Sequence, residues 1–352
     1  MTHPPSAAAS ACDPRREALV HWLACLGYPA TDLQPASGDA SSRRYFRFSD
    51  GPRTLIAMDA PPQQEDCVPF LQVQGLLQRA GVNVPAVRAV DLEDGFLLLT
   101  DLGRESYLGA LRADNADALY GDALDTLARA QHGLHHDALD ALPPYDAPLL
   151  RREMDLFRDW LLARHLGLSL SSREQQLWEQ ACAALVDAAL EQPRGFVHRD
   201  YHSRNLMHLP GAANPGVLDF QDAVCGPLTY DLVSLLRDCY IAWPDSRVQR
   251  WALEFLALPG TAEVAGQPSA ERWLRWFDLM GVQRHLKASG IFARLWLRDG
   301  KPGYLADIPR TLGYIAAVGA RHAETRSLAA LVQERVLPAL PACPPEARPC
   351  AP

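Results

Sequence analysis

The sequence predicts an α+β chain of two lobes, a small antiparallel sheet with one helix followed by a larger, mostly helical lobe. Strand-like runs separated by turn residues crowd into residues 30–102, whereas helical patterns dominate from Asn115 onward. The length of 352 residues exceeds that of a typical single domain, which also favours two lobes. We place the first lobe, with a leading helix, at residues 1–102 and the second at 103–340, and we expect residues 341–352 to be disordered.

The helices and strands of the first lobe are predicted from helix-capping residues, from the spacing of apolar residues and from turn residues. Asp13-Pro14 is typical of a helix start, and Gly27 of its end. A second helix is indicated by apolar spacing from Phe70 to Leu77, with Gly81 as its stop. The predicted strands are Arg43 to Phe48, Thr54 to Asp59, Val84 to Val90 and Phe96 to Thr100. Together they predict one small sheet crossed by a helix.

The second lobe is predicted to be helical, with a short island of strands and loops. The predicted helices are Asn115 to His132, Leu149 to His165, Arg173 to Leu190, Leu228 to Ile241, Arg272 to Leu297 and Leu328 to Leu337. Within residues 195–222, the runs 196–198 and 216–220 are predicted as brief buried strands. Loops on a rigid frame often carry function, so the island is where we expect the chemistry.

Composition excludes several classes of protein. The formal charge of -8 argues against a nucleic-acid partner. Of the 34 basic residues, only Lys287 and Lys301 are lysines. The pattern G-x-x-x-x-G-K-[ST] is absent, so a P-loop nucleotide site is excluded. There is no long apolar run, no secretory pattern at the start and no C-x-x-C pair among the eight cysteines. We therefore expect a cytoplasmic protein with no membrane role.

The island contains a motif that points to phosphoryl transfer. Residues 198–205 read H-R-D-Y-H-S-R-N, matching H-R-D-x-x-x-x-N, and Leu218-Asp219-Phe220 follows. In such motifs the first Asp orients the attacking hydroxyl, while the Asn and the second Asp hold Mg2+ against the phosphates. H-R-D alone occurs by chance, but Asn205 at the right offset and the later Asp favour chemistry. The pattern predicts Asp200 as the catalytic residue and Asn205 and Asp219 as metal ligands of a kinase that uses ATP and Mg2+.

The segments F-V-H-R-D-Y-H-S-R-N-L-M and G-V-L-D-F-Q-D-A-V-C-G-P-L-T-Y-D-L resemble the aminoglycoside phosphotransferase family. These enzymes are relatives of protein kinases that act on small molecules. The resemblance implies a protein-kinase-like fold, with a nucleotide-binding first lobe and a second lobe for catalysis and substrate binding. It also implies that Asp231 braces the catalytic loop, and we expect His198 to hold that loop by hydrogen bonding.

Other stretches resemble a branch of that family, the anomeric amino-sugar kinases of cell-wall recycling. They include S-G-D-A-S-S-R-R-Y-F-R, G-F-L-L-L-T-D-L-G, L-L-R-R-E and Q-R-H-L-K-A-S-G-I-F-A-R-L. The resemblance implies a small-molecule amino-sugar substrate, phosphorylated at the C1 hydroxyl of N-acetylmuramate or N-acetylglucosamine to the α-1-phosphate. It would put Arg284, His285 and Lys287 near the sugar, with Lys287 as the cation for the lactyl carboxylate of muramate. The alternative is that Lys287 lies on a solvated helix face, which its position on a long predicted helix favours.

The first lobe lacks the strand lysine with which kinases grip ATP phosphates, because Ile56-Ala57-Met58-Asp59 occupies that strand. The adjacent loop, with Ser41 and Ser42, has small and hydroxyl residues that suit phosphate binding. We predict that Arg43 or Arg44 substitutes for the lysine, since a guanidinium chelates phosphate through two hydrogen bonds. Neighbouring strand residues face opposite ways, so one of them is expected to be a surface charge.

Two further residues complete the predicted nucleotide site. Glu65 is placed to pair with the phosphate-binding arginine, as a helix glutamate does in kinases, or else only to favour the helix N-terminus. The hinge is predicted at residues 100–103, around Asp101, where extended backbone would hydrogen-bond adenine.

Two alternatives to the sugar kinase stay open at this point. One is another kinase of the same family, with choline, homoserine or an aminoglycoside as the acceptor. The other is a nucleotide-binding pseudoenzyme that acts through a partner, which would explain the missing strand lysine. The intact Asp200, Asn205 and Asp219 argue against the second.

Overall fold

The computed structural model describes residues 13–38, 42–134, 136–211 and 213–341. The predicted α+β class is confirmed. The chain divides into two compact units, the first comprising Met1–Gln74 and Pro85–Gly103 and the second Gly75–Val84 and Arg104–Pro352.

The first unit contains one sheet and a leading helix. Helix α1 (Pro14–Cys25) begins where the Asp13 carboxylate accepts the Arg16 N–H at 3.1 Å, and it is followed by Gly27 at φ +87°. The strands are β1 (Gln34–Gly38), β2 (Arg44–Asp50), β3 (Arg53–Asp59), β4 (Val87–Asp91) and β5 (Phe96–Thr100). Helix α2 (Val68–Arg79) follows β3 in the chain.

The five strands form one antiparallel sheet in the order β1-β2-β3-β5-β4. In its register Arg44 lies opposite Asp59, and Ile56 lies opposite Leu99. One face of the sheet is covered by α1. The shared core consists of Leu19, Leu23, Ala30, Leu33, Phe46, Phe48, Leu55, Ala57, Phe96 and Leu98.

The second unit is mostly helical. Its helices are α3 (Tyr107–Ala110), α4 (Ala116–Gly133), α5 (His136–Asp140), α6 (Ala147–Leu156), α7 (Ser172–Leu190), α8 (Thr229–Leu236), α9 (Asp245–Leu256), α10 (Thr261–Val264), α11 (Ala270–Asp299), α12 (Ile308–Gly319), α13 (Arg326–Leu331) and α14 (Leu337–Ala339). Helix α6 continues as a π-helix over Phe157–His165, a 3₁₀ helix covers Pro302–Asp307, and a π-helical turn covers Val332–Val336. Two antiparallel pairs of short strands complete the unit, β6 (Arg194–Val197) with β9 (Val224–Pro227), and β7 (Leu206–Met207) with β8 (Gly216–Val217).

Helix α11 runs through the centre of this unit, and most of its side chains are buried. Its path depends on Gly290. A Cβ at that position would lie 2.3 Å from the backbone carbon of Leu156 and 2.5 Å from the nitrogen of Phe157. The helix therefore packs directly against the backbone where α6 passes into its π-helical extension.

Several elements differ from the sequence prediction. The helix predicted over Leu228 to Ile241 ends at Leu236, because the following residues turn away to make side-chain contacts described below. Strand β1 and the helices α9 and α12 were not predicted. The strand predicted over 216–220 is limited to Gly216–Val217.

The tail predicted to be disordered, residues 341–352, lies almost wholly outside the described residues. Within the described part of the chain, no helix has the length and apolar character needed to span a membrane.

Candidate active site

The catalytic loop, residues 198–205, links β6 to β7 as a series of tight turns. The Asp200 carbonyl accepts the His202 N–H at 3.0 Å, and the His202 carbonyl accepts the Asn205 N–H at 2.9 Å. The Asn205 carbonyl in turn accepts the Leu218 N–H at 2.9 Å. This last bond ties the loop to the segment that carries Asp219, just beyond β8.

The structure brings Asp200, Asn205 and Asp219 together. The amide nitrogen of Asn205 donates to the Asp200 carbonyl at 3.0 Å and to Oδ2 of Asp219 at 3.2 Å. Gln221 donates from Nε2 to Oδ1 of Asp219 at 2.8 Å. Since both Asn205 bonds use the NH2 group, its amide oxygen is the atom available to a cation. A neutral oxygen and a carboxylate are a suitable pair of ligands for Mg2+.

Two residues of this site have unusual backbone angles. Arg199 has φ +77° and Asp219 has φ +64°, in the left-handed region that non-glycine residues rarely adopt. Asp231, at the start of α8, braces the first of them. Its carboxylate accepts the N–H groups of His198 at 2.6 Å and of Arg199 at 3.0 Å. Burial raises the pKa of Asp231 to about 7, while these two donors oppose the rise.

His198 holds the loop from within. Its Nδ1 accepts the Asp200 N–H at 3.2 Å. Burial lowers the pKa of His198 to about 4, so the ring is neutral at physiological pH and keeps the lone pair that this bond requires. The arrangement fits the expected hydrogen-bonding role.

Asp238 is a second brace, which the sequence did not indicate. Its carboxylate is buried and accepts the N–H of Ser203 at 2.9 Å and that of Tyr240 at 2.9 Å. These bonds explain why α8 stops short of the predicted end, since residues 237–240 turn to support the catalytic loop. The residue preceding it, Arg237, is also buried and pairs with Asp278 at 2.6 Å.

A buried group of charges lies beneath the catalytic loop. Glu153 of α6 forms ion pairs with Arg199 and, at 3.2 Å, with Nζ of Lys287 on α11. Tyr145 donates its hydroxyl to Glu153, and Lys287 donates to the Tyr230 hydroxyl at 2.8 Å. We call Glu153, Arg199 and Lys287 the buried triad. Sequence reasoning missed Glu153, although it lies at the end of the quoted L-L-R-R-E stretch.

These charges act on the carboxylate of Asp200. Burial would raise the pKa of Asp200, but Lys287, His202 and Arg284 outweigh it and hold the pKa below its ordinary value. Asp200 is therefore an ionised carboxylate at neutral pH. An ionised carboxylate can accept or orient a hydroxyl proton.

The expectation that Lys287 lies on a solvated helix face is wrong, because its side chain is buried, as are those of Arg284 and His285. Arg284 donates to Sγ of Cys239 at 3.6 Å, and its buried Nε has no hydrogen-bond partner within the part of the chain that the structure describes. His285 bonds the Arg237 carbonyl at 2.9 Å, and burial lowers its pKa to about 3. Lys287 is occupied by the buried triad.

In the first unit, Arg43 and Arg44 have different partners. The Nε of Arg43 lies 3.2 Å from Glu65, and Glu65 also accepts the Ser42 N–H at 2.9 Å. Glu65 lies in the turn before α2 rather than inside the helix. Arg44 pairs with Asp59 and with Asp13, each at 2.5 Å. Ser41, also predicted at this site, lies outside the described residues.

The carboxylate of Asp101 is fully engaged inside the first unit. It accepts from Arg47 at 2.6 and 2.8 Å, from the Thr54 hydroxyl at 2.6 Å and from the Gly103 N–H at 3.0 Å. These bonds fix the backbone of 101–103, which has no regular secondary structure. What this segment can offer a ligand is its backbone rather than its acidic side chain.

No group of three or more His, Cys, Asp or Glu side chains within the described residues is placed to hold a metal ion. A site that draws one amide and one carboxylate from the protein, with phosphate and water oxygens for the rest, is compatible with that finding.

Known proteins similar to this chain are phosphotransferases and sugar kinases. The model of the phosphotransferase enzyme family matches residues 32–276. An N-acetylmuramate/N-acetylglucosamine kinase of Pseudomonas aeruginosa is 52% identical over 304 residues, covering 86% of this chain and 88% of that protein. A kinase of the same description from Neisseria meningitidis is 42% identical over 330 residues, covering 92% and 96%.

Solved structures share the fold at low sequence identity. A choline kinase of Streptococcus pneumoniae is 10% identical with a TM-score of 0.59, covering 87% of this chain and all of that one. An ADP-bound aminoglycoside phosphotransferase is 16% identical with a TM-score of 0.55, covering 86% and 97%. The predicted protein-kinase-like fold is thereby confirmed.

Proposed function

Since this chain belongs to the phosphotransferase enzyme family, we propose that it is an ATP-dependent kinase of the anomeric C1 hydroxyl of N-acetylmuramate and N-acetylglucosamine. The products are the α-1-phosphates, and the reaction serves peptidoglycan recycling in the cytoplasm. The observation that carries the proposal is the 42–52% identity, over most of both chains, to kinases named for these two sugars. The grouping of Asp200, Asn205 and Asp219 supports it.

In the proposed reaction, Asp200 orients the sugar hydroxyl and takes up its proton. The hydroxyl oxygen forms a bond to the γ-phosphorus, the bond from that phosphorus to the β-phosphate oxygen breaks, and ADP leaves. An anomeric hydroxyl is more acidic than an ordinary alcohol, so a carboxylate with a lowered pKa is still a sufficient base. Positioning supplies much of the rate, which suits a loop held by Asp231 and Asp238.

We assign Asn205 and Asp219 as the residues that hold Mg2+. The ion, when bound, supplies positive charge against the triphosphate. The residues fit it, because the NH2 group of Asn205 is already bonded to Asp200 and Asp219 and its amide oxygen remains. Gln221 steadies the carboxylate of Asp219.

We assign Arg43, rather than Arg44, to the ATP phosphates, in place of the strand lysine. Arg43 pairs with Glu65, which also orders the loop backbone at Ser42. Arg44 already neutralises Asp59 and Asp13, so its role is structural. Arg43→Ala should raise the KM for ATP at least about ten-fold, the loss expected for a charged hydrogen bond. Arg44→Ala should lower the melting temperature and leave the KM for ATP near the wild-type value; the reverse pattern would refute the assignment.

Among the three residues of α11 predicted near the sugar, we keep Arg284 as a substrate contact. Its guanidinium is buried, and its Nε has no hydrogen-bond partner among the described residues. The guanidinium also lies close enough to Asp200 to lower the pKa of that carboxyl. His285 and Lys287 are bonded within the protein, so we assign them supporting roles. The backbone around Asp101 remains our proposal for adenine.

The proposed function is tested with an acceptor panel. Purified protein, ATP and Mg2+ are incubated with N-acetylmuramate, N-acetylglucosamine, choline, homoserine or kanamycin, and phosphorus NMR locates the phosphate on any product. We expect phosphate on C1 of the two amino sugars. Asp200→Asn should retain ATP binding but lose roughly 10²–10⁴-fold in kcat, the range for general acid–base groups.

Each rival has its own outcome in that panel. Phosphorylation of choline, homoserine or kanamycin in preference to the sugars would replace the proposed acceptor with another of the family. ATP binding without any phosphorylated acceptor would favour the pseudoenzyme.

A further inference from the structure

Arg204 is a cation of the catalytic loop whose guanidinium N–H groups can donate hydrogen bonds to a ligand. It lies four residues after Asp200 and its side chain is 40% exposed. Its guanidinium carbon lies 3.6 Å from the ring centroid of Tyr240 and 5.5 Å from that of Tyr304. Among the residues that the structure describes, its ion pair is with Asp307 at 3.9 Å, which is too long for a hydrogen bond.

The aromatic support under Arg204 is itself fixed. The Tyr240 ring meets His202 edge-on at 5.2 Å and lies 6.2 Å from Phe292. The Tyr240 N–H is bonded to Asp238, which also holds the catalytic loop. The guanidinium is thus held against a ring whose position is set by the same contacts that position the loop. A cation held over an aromatic face keeps the N–H groups at its edge for a ligand.

A second arginine, Arg310, contacts the carboxylate that faces Arg204. Arg310 donates to Oδ1 of Asp307 at 3.0 Å and to the Cys239 carbonyl at 2.6 Å. Two arginines therefore share a single carboxylate, that of Asp307. Such a group is suited to a second anion.

Other cations near the catalytic aspartate are less suited to a carboxylate that arrives with substrate. Lys287 is buried and bonded to Glu153 and Tyr230. Arg284 is buried and donates to Sγ of Cys239.

We propose that Arg204, held on Tyr240, binds the carboxylate of the acceptor sugar. This rests on the proposed function, in which one of two accepted sugars, N-acetylmuramate, carries a lactyl carboxylate on O3 and the other, N-acetylglucosamine, does not. Asp200 and Arg204 are four residues apart, so their Cα atoms are separated by at most about 14 Å. The turns within the loop bring them closer, so one loop addresses both the C1 hydroxyl and the C3 substituent of a single pyranose. Arg204 is then a specificity residue for the acidic sugar.

The test compares two sugars and one chemical modification. The kcat/KM is measured for N-acetylmuramate, for its methyl ester and for N-acetylglucosamine, in wild type, Arg204→Gln, Arg204→Lys and Arg298→Gln. Arg298 is the control because it is an exposed arginine of the same unit that pairs with Asp299. Thermal melting of every variant reports whether it is folded.

In Arg204→Gln, the ratio of kcat/KM for N-acetylmuramate to that for N-acetylglucosamine should fall about 10- to 100-fold, mainly through KM, as for a lost charged hydrogen bond. Esterification should cost the wild type a similar factor and cost this variant nothing, because the two changes remove the same interaction. Arg204→Lys should keep part of the ratio. Arg298→Gln should leave the ratio within about two-fold, since exposed pairs contribute little.

Two outcomes would overturn this inference and leave the proposed function standing. One is a ratio in Arg204→Gln that stays within about two-fold of wild type, the range of the exposed control. The other is an equal loss for both sugars, which would make Arg204 a general loop residue. A folded wild type that phosphorylates neither sugar would instead overturn the proposed function, and the inference with it.

Discussion

Neutralising Glu153 should lower the free energy of unfolding more than most single substitutions in this chain. Glu153 is the single acid of the buried triad. Its side chain is 6% exposed and forms ion pairs with both Arg199 and Lys287. Glu153→Gln leaves the buried Lys287 and the partly buried Arg199 without the carboxylate that they share. Removing one partner of a buried ion pair costs about 3–5 kcal/mol. At roughly 2–3 °C per kcal/mol for a large domain, the melting temperature should fall by about 6–15 °C.

The assay is thermal and urea unfolding of Glu153→Gln beside a matched exposed variant. Glu179→Gln removes an ion pair with Arg151 in which the glutamate is 45% exposed, and it should cost less than about 1 kcal/mol. The double variant Glu153→Gln/Lys287→Met removes one cation together with the acid, so it should regain part of the lost stability. Equal melting temperatures for Glu153→Gln and Glu179→Gln would refute the reasoning.

The effect of Glu153 should also depend on pH. Burial opposes ionisation, but Lys287 and Arg199 outweigh it and hold the pKa of Glu153 below its ordinary value. A group with a lowered folded pKa stabilises fully above its unfolded pKa, which is about 4.3 for Glu, and loses this as the pH falls through the folded value. The stability gap between wild type and Glu153→Gln should therefore narrow below about pH 4.

Three further predictions concern packing, metal and loop. Gly290→Ala should destabilise by about 1–3 kcal/mol because its Cβ would strike backbone, whereas Gly313→Ala, in an open part of helix α12, should stabilise by about 0.5–1 kcal/mol in urea unfolding. Asp219→Asn should raise the Mg2+ concentration for half-maximal activity by at least about ten-fold, since even outer-shell partners of metal sites have effects of that size; an unchanged Mg2+ titration would contradict its assignment. Asp238→Asn turns one acceptor of a buried carboxylate into a donor that faces an N–H such as that of Ser203, so stability should fall by about 1–3 kcal/mol together with kcat. Wild-type kcat in that variant would show that the loop needs no such brace.

The sequence was sufficient for the sheet and for most helices because their signals are local. Alternation and turn residues mark β2 and β3, and the cap at Asp13 marks the start of α1. Strand β1 contains Pro35 and pairs with a register irregularity, so it lacks the alternating pattern of a regular strand. A signal that depends on tertiary pairing cannot be found by local periodicity.

The end of α8 also shows that local periodicity cannot reveal tertiary contacts, here by predicting a helix that is too long. Leu228 to Ile241 has a helical apolar pattern, and local propensity alone would continue the helix. The chain leaves the helix after Leu236 because the carboxylate of Asp238 bonds the N–H groups of Ser203 and Tyr240. Ser203 is 35 residues away in sequence. Tertiary hydrogen bonds here override propensity, and they do so at the catalytic loop.

The grouping of Asp200, Asn205 and Asp219 was predictable, whereas the roles of the nearby cations were not. Asp200, Asn205 and Asp219 have fixed offsets because one loop and one strand must bring their oxygens to one place. A cation has no such spacing, so Lys287 was chosen because lysine is rare in this chain. Its surroundings determine its role instead, since Glu153 and Tyr230 occupy its ammonium group. Arg204 looks ordinary in sequence, yet it combines exposure, an aromatic support and a distant counter-ion, which is what an incoming carboxylate requires.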